Sequence, residues 1–196
     1  MAETTEYVLK QHSERRNVMA RKIEVTAYCP DWEEKFWKEA AKIREILGEN
    51  CIAVHHIGST SVKGLRAKPI IVLMPVVRTI EDVDLHKKEF EALGYECKGE
   101  YGILGRRFFM KGGDQRTHHV HIFSENSKEE IERHLAVRDY LRTHEKEAEA
   151  YAALKTELAE RFPYDNEGYC DGKDGFVKEL EQKALKWRRE NSSLKA

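Results

Sequence analysis

The segment His55–Val77, HHIGSTSVKGLRAKPIIVLMPVV, constrains the fold more than any other part of the chain. An apolar run ends at Gly58-Ser59, a short basic stretch follows, and a second apolar run starts after Lys68. Glycine at 58 lets the backbone turn sharply and come close to a ligand. The pattern predicts a strand over 51–57, a helical turn over 59–65 and a strand over 69–77. The second strand is apolar at successive positions, so both faces are expected to be buried, which places it inside a sheet. Pro75 cannot donate to a ladder and marks a bulge or a loss of pairing.

The rest of the chain supplies the partners. Residues 23–28 (IEVTAY) alternate as a half-buried strand does. Asp31 with Glu34 reads as a capping box opening a helix whose apolar face is Trp32, Phe36, Trp37, Ala40, Ile43, Ile46 and Leu47, closed by Gly48. A helix is expected over 80–93, ending at Gly94, followed by strands over 95–99, 106–111 and 117–123, with Gly112-Gly113-Asp114 as the hairpin between the last two. Residues 127–187 carry two or three long, densely charged helices. The expected architecture is α/β (α+β): a mixed sheet flanked by helices, with a long-helical C-terminal half. Residues 22–187 form its single domain, 1–21 an N-terminal appendage and 188–196 a polar tail.

Composition narrows the setting. A chain of 196 residues suits one domain with a real core. With 34 Lys and Arg against 35 Asp and Glu, bulk charge calls for neither nucleic acid nor an acidic membrane surface. No recognition helix is evident, and no run approaches the roughly 18 apolar residues of a membrane span. Cys29, Cys51, Cys97 and Cys170 lie far apart without a CxxC pair, which argues against a disulfide framework or zinc ribbon. Cys51, in an apolar strand, belongs to the core. A cytoplasmic, reducing setting is expected.

Two clusters carry chemistry. Gly58, Ser59 and Thr60 offer close backbone approach and hydroxyl donors, and Lys63, Arg66 and Lys68 add cations within ten residues. Together they read as a phosphate cradle. The bland alternative is a tight strand-to-helix turn with a solvated basic face. The spacing fits neither GxxxxGK[ST] nor GxGxxG.

The second cluster is Thr117-His118-His119-Val120-His121-Ile122. In a strand His119 and His121 share one face, and His118 joins Val120 and Ile122 on the other. Histidines at i and i+2 can hold zinc or manganese, or act as acid and base near neutral pH. The alternative is surface histidines on an edge strand. Arg106, Arg107 and Lys111 lie on the preceding strand, where one of the two arginines is expected to face the site and bind phosphate. Either His55 or His56 is expected to face it too. Arg133, His134, Arg138 and Tyr140 read as an ordinary amphipathic helix with solvated charge, and Trp32, Trp37 and Trp187 as core or interface.

These residues resemble the GrpB family, which belongs by resemblance to the nucleotidyltransferase superfamily. The matching segments are IEVTAYCPDW (23–32), HIGSTSVKGLRAKPII (56–71), GRRFF (105–109), RTHHVHIF (116–123), RHLAVRDYLRTH (133–144) and AYAALKTELAERF (150–162), covering roughly residues 22–185. The resemblance implies phosphate binding by Gly58 and Ser59. It also implies a divalent metal (Mg, Mn or Zn) held by a strand carboxylate at position 72. The family usually reads KPIID there, and this chain reads KPIIV, with Met74 at the position after next. Neither Val72 nor Met74 can hold magnesium. The implied function is binding of a nucleotide or phosphorylated metabolite, with metal-dependent nucleotidyl transfer compromised at Val72. The alternative is a non-catalytic nucleotide- or phosphate-binding module, or a protein-interaction module using the charged helices.

Overall fold

The computed structural model describes residues 22–193; the expected appendage 1–21 and the last three residues lie outside the described residues. Helix α1 spans Asp31–Leu47. Acidic Asp31, Glu33 and Glu34 sit in its first turn and Arg44 in its last, the charge order that a helix dipole favours. The capping box does not form. Pro30 occupies the N-cap position without a side-chain cap, and Glu34 instead pairs with Lys38 one turn on. Gly48 ends the helix with φ 53°, and its N–H returns to the Arg44 carbonyl. Trp32, Phe36, Ala40, Ile43 and Leu47 are buried, whereas Trp37 is 61% exposed, outside the stripe expected of it.

Strands β1 (Cys51–Ile57), β2 (Ile71–Val77), β3 (Tyr95–Cys97), β4 (Arg107–Lys111) and β5 (His118–Ser124) form one sheet in the order β1-β2-β5-β4-β3. β2 runs antiparallel to β1 and parallel to β5. It is interior, as its apolar run requires. Pro75 has the expected effect: the parallel register holds from Ile71↔His118 to Leu73↔Val120 and resumes only at Val76↔Phe123. The bulge itself lies on β1, between Cys51 and Ala53. Cys51 is buried.

The expected strand over 23–28 reduces to a single bridge, Thr26↔Ala67. Its partner, the loop before β2, runs into Pro69, which has no N–H to extend a ladder. The expected helix over 80–93 divides into a 3₁₀ segment, Glu81–His86, and helix α2, Lys87–Ala92. The 3₁₀ turn keeps Val83 in the core and leaves Asp84 within reach of Arg107.

One face of the sheet packs on α1 and α2 through Ile71, Leu73, Val120, Ile122 and Phe109. The other carries Ile57, Met74 and Phe123 against Ile131 and Leu135 of helix α3 (Lys128–Thr143). Helices α4 (Glu145–Arg161) and α5 (Asn166–Ser193) pack beyond α3. A Cβ at Gly172 would overlap Leu158 Cδ2, so glycine there sets the close approach of α5 to α4. α5 continues past the expected boundary at 187: residues 188–193 are helical, and Arg188 reaches Asp139 of α3 at 3.4 Å. Among the described residues no helix is long and apolar enough to cross a membrane.

Candidate functional site: the Gly-Ser turn and its cavity

The site begins where β1 ends. Gly58 has φ 69° and ψ −178°, a conformation that side-chain-bearing residues rarely adopt. A Cβ there would also stand 3.2 Å from Val72 Cγ2 on the neighbouring strand. Glycine therefore serves both the turn and the close approach to β2. The expected helical segment over 59–65 shortens to one 3₁₀ turn, Ser59–Ser61, so the turn itself leads into no helix whose dipole could serve the site. Ser61 Oγ donates to the Gly58 carbonyl at 2.6 Å, and Thr60 Oγ1 donates to the Ile70 carbonyl and meets His56 Nε2 at 3.0 Å.

Helix α3 clamps this turn from behind. Arg142 donates from Nε and Nη2 to the Ser61 carbonyl, at 3.1 and 2.8 Å, and Arg138 Nη1 donates to the His56 carbonyl at 3.3 Å. Arg138 and Arg142 are thus partnered rather than simply solvated. Arg133 follows the same pattern, bound to Glu130 and to Glu181 of α5.

A cavity of about 490 Å³ opens beside the turn, between the loop before β2, residues 22–24, and helices α4 and α5. Ser59, Thr60, Val72 and His119 line its sheet side. Lys22, Lys68, Arg116, Lys155 and Lys173 bring five basic side chains to it, against acidic Glu24 and Asp114. Lys68 Nζ lies 4.0 Å from the centroid of the Tyr169 ring and donates to Asn166 Oδ1 at 3.2 Å.

Lys155 is the side chain that sequence reasoning missed. It lies in AYAALKTELAERF, which carried the family resemblance but no assigned role. In the fold it is 3% exposed, with Nζ 2.9 Å from Ser59 Oγ and bonded to the Arg66 carbonyl. Burial, and then the charge of Lys173, pull its proton affinity down to a pKa of about 7. Tyr151, one turn earlier on α4, lies under this amine, stacks on Phe176 and has Ser59 as a polar neighbour. Burial raises its pKa to about 12. The only sequence signal for the pair is the i, i+4 spacing of a tyrosine and a lysine, which is common on any helix.

The histidine strand divides. His119 and His121 share a face, as the alternation requires, with Phe108 packed edge-on against both rings. His119 reaches the cavity, level with Val72 in the parallel register. His121 does not line it. It is packed against His134, and its Nδ1 accepts from Arg106 Nη1 at 3.2 Å. Burial, with His134 and Arg106 adding to it, holds His121 far below the ordinary histidine range, so the ring is neutral.

The two arginines do not reach the cavity either. Arg106 is 5% exposed and donates to the Glu100 and Tyr101 carbonyls, tying down the loop before β4. Arg107 points to the opposite face and forks onto Asp84 at 2.8–3.1 Å. His56 also turns to that face, stacked on Phe36, while His55 lies near Arg138 and Asp139 and outside the cavity lining.

A divalent metal does not fit this donor set. Val72 offers no ligand atom, and a cation at His121 would sit beside the Arg106 guanidinium. Among the described residues no three His, Cys, Asp or Glu side chains stand together as a metal site would need.

The fold recurs in other proteins. The profile of the GrpB protein family matches residues 22–183. UPF0157 protein YqkA of Bacillus subtilis is 46% identical over 169 residues, which cover 86% of this chain and 49% of that protein. The chain thus spans about half the length of that relative. Glutamate-rich protein GrpB of Alkalihalophilus pseudofirmus is 31% identical over 161 residues, 80% of this chain and 92% of that one. The crystal structure of conserved protein GrpB from Enterococcus faecalis superposes with a TM-score of 0.82 at 49% identity, covering 84% of this chain and 99% of that one. With the family profile spanning the sheet, α3, α4 and much of α5, the chain belongs to the GrpB family and has its nucleotidyltransferase-like fold.

Proposed function

We propose that the chain binds a nucleotide or another phosphorylated small molecule in the cavity beside Ser59, without a metal, and does not carry out metal-dependent nucleotidyl transfer. One observation carries this reading: five basic side chains against two acidic ones surround a cavity that includes the Gly-Ser turn, while Val72 stands where the family resemblance implies a metal-binding carboxylate. Excess positive charge in a partly enclosed site attracts anions and is screened less than surface charge. Tyr164 and Tyr169 give the same cavity aromatic surface for the remainder of such a ligand.

The test is a thermal-shift and calorimetric screen with nucleoside mono- and triphosphates, sugar phosphates and inorganic phosphate, each with and without Mg²⁺, Mn²⁺ or Zn²⁺. A phosphorylated ligand is expected to raise the melting temperature by mass action, with no metal requirement. Lys68→Ala is expected to weaken binding by roughly 10- to 100-fold, the worth of one charged hydrogen bond. Val72→Asp restores a carboxylate next to Gly58 and is expected to introduce a Mg²⁺ dependence absent from the parent chain. A shift that needs metal in the unaltered chain would overturn the metal-free reading. No shift with any ligand would overturn the site.

A further inference from the structure

Ser59 is held in a way that a phosphate cradle does not require. Its Oγ lies 2.9 Å from Lys155 Nζ, with the Tyr151 hydroxyl as a second polar neighbour. Lys155 in turn donates to the Arg66 carbonyl, which fixes the direction of the amine. A hydroxyl, a buried amine within hydrogen-bond reach of it, and a third group orienting the amine are the parts of an activated serine. Ser59, Lys155 and Tyr151 all border one cavity. Serine paired with lysine, in place of serine with histidine, is a recurrent form of that arrangement.

We propose that Ser59 is a nucleophile with Lys155 as its base and Tyr151 as a second hydrogen-bond partner, and that it accepts the acyl group of an ester whose alcohol half carries a phosphate. The phosphate half of this proposal rests on the binding reading above. Lys68, Lys173 and Arg116 line the same cavity and would hold that phosphate, leaving Ser59 to the carbonyl.

The step balances without a cofactor. Ser59 Oγ bonds to the carbonyl carbon as its proton passes to Lys155 Nζ. The bond from that carbon to the alcohol oxygen breaks, and Lys155 returns the proton to the departing oxygen. Water then gives a proton to Lys155 and bonds to the acyl carbon. The Ser59 ester opens, and Oγ recovers its proton from Lys155. One ester and one water become one acid and one alcohol.

A neutral amine is needed at the start, and burial supplies it: Lys155 discharges at about 7. The charged and titratable groups around the pair are Lys173, Tyr169 and Cys170 from α5, Tyr151 from α4 itself, Lys68 and Arg116 from the loops before β2 and β5, and Lys22, Glu24, Asp114 and His119 across the cavity. A purely structural alternative exists, in which Lys155 only pins the turn to α4. It predicts an ordinary serine.

The experiment uses the full chain and a fluorophosphonate, which labels activated serines whether or not they bind phosphate: the Oγ–P bond forms, fluoride leaves and the proton goes to Lys155. Intact-mass and peptide analysis are expected to place one adduct on Ser59. Its rate is expected to rise with pH, reach half-maximum near 7 and then level off, whereas an unactivated serine gains rate with hydroxide and shows no plateau. Lys155→Met is expected to slow labelling by about 100-fold or more, the usual worth of a general base. Tyr151→Phe is expected to slow it by about tenfold, one hydrogen bond. No adduct on Ser59 at pH 8, no plateau, or equal labelling in a folded Lys155→Met chain would each overturn the proposal. Should Lys155→Met fail to fold, the pH profile of the unaltered chain decides. Labelling that fails while phosphorylated ligands still raise the melting temperature removes the nucleophile and leaves the binding site standing. Labelling that succeeds while no phosphorylated ligand binds keeps the nucleophile and overturns the phosphate-bearing substrate.

Discussion

Replacing Lys155 by Met changes how stability depends on pH, by an amount that follows from its surroundings. A lysine in water holds its proton up to 10.5, whereas this one, buried against Tyr151 and repelled by Lys173, releases it at about 7. At about 1.4 kcal/mol for each tenfold change in proton affinity, the buried charge costs about 5 kcal/mol. Half of the folded molecules have shed the proton at pH 7, which leaves a cost of about 4 kcal/mol there. The bonds to Ser59 and the Arg66 carbonyl offset about 2 kcal/mol of it. Methionine has similar length and volume and no charge to discharge. Lys155→Met is therefore expected to be more stable than the parent at pH 7 by about 2 kcal/mol, the remainder of that difference.

The pH slope is the sharper test. Between pH 7 and 10.5 the unfolded chain holds one proton more at Lys155 than the folded chain does. The parent therefore gains about 1.4 kcal/mol per pH unit relative to the variant across that window. The variant's advantage closes between about pH 8 and 9 and reverses above it. Below pH 7 the two curves run parallel, because both states of the parent are then protonated. Urea unfolding of both proteins from pH 6 to 10 measures the difference directly, and titrations elsewhere in the chain cancel. A difference that does not change with pH would refute both the buried, neutral amine and the base role built on it.

Two further outcomes follow from the packing. Gly58→Ala forces a Cβ into a conformation costing about 1–3 kcal/mol and against Val72, so a clear drop in melting temperature is expected; an unchanged one would mean that the turn relaxes freely. Glu39 of α1 is buried and accepts from Tyr95 Oη at 2.9 Å and Lys111 Nζ at 2.6 Å, so Glu39→Ala, which leaves Lys111 without that carboxylate, is expected to cost about 3–5 kcal/mol in urea unfolding. Burial pushes the Glu39 carboxyl up, but the Lys111 and Tyr95 bonds outweigh this and hold it below the ordinary glutamate value. Its contribution is thus present above pH 4.5 and lost as the pH falls through its lower folded value, so the gap between parent and variant should narrow on acidification; a constant gap would contradict the ionised pair.

The parts of this fold that could be read from the chain are those with local causes. β1 is bounded as the apolar run 51–57 required, because Gly58 can take a backbone conformation that ends a strand at once. The interruption at Pro75 needed only the absence of an N–H. Readings failed where a partner decided the outcome. The alternation at 23–28 is present, but a strand needs a neighbour, and the segment opposite it offers only Ala67 before Pro69. Asp31 has the chemistry of a cap, yet the helix starts one residue earlier and leaves it inside the first turn. Adjacent arginines read alike, but the pleat sends Arg106 to His121 and Arg107 to the opposite face of the sheet, onto Asp84.

The sequence by itself determined the Gly-Ser turn at 58–59 and the shared face of His119 and His121, since each depends on a residue's own backbone preference or on the period of a strand, while the family resemblance alone marked position 72 as lacking a carboxylate. Only the tertiary structure decided that His121 is sealed beneath Arg106 and that Ser59 faces a buried lysine 96 residues away. That lysine sits on an ordinary charged helix and takes its altered proton affinity entirely from the helices and loops packed around it. Desolvation is a property of those neighbours, and no stretch of sequence around position 155 contains it.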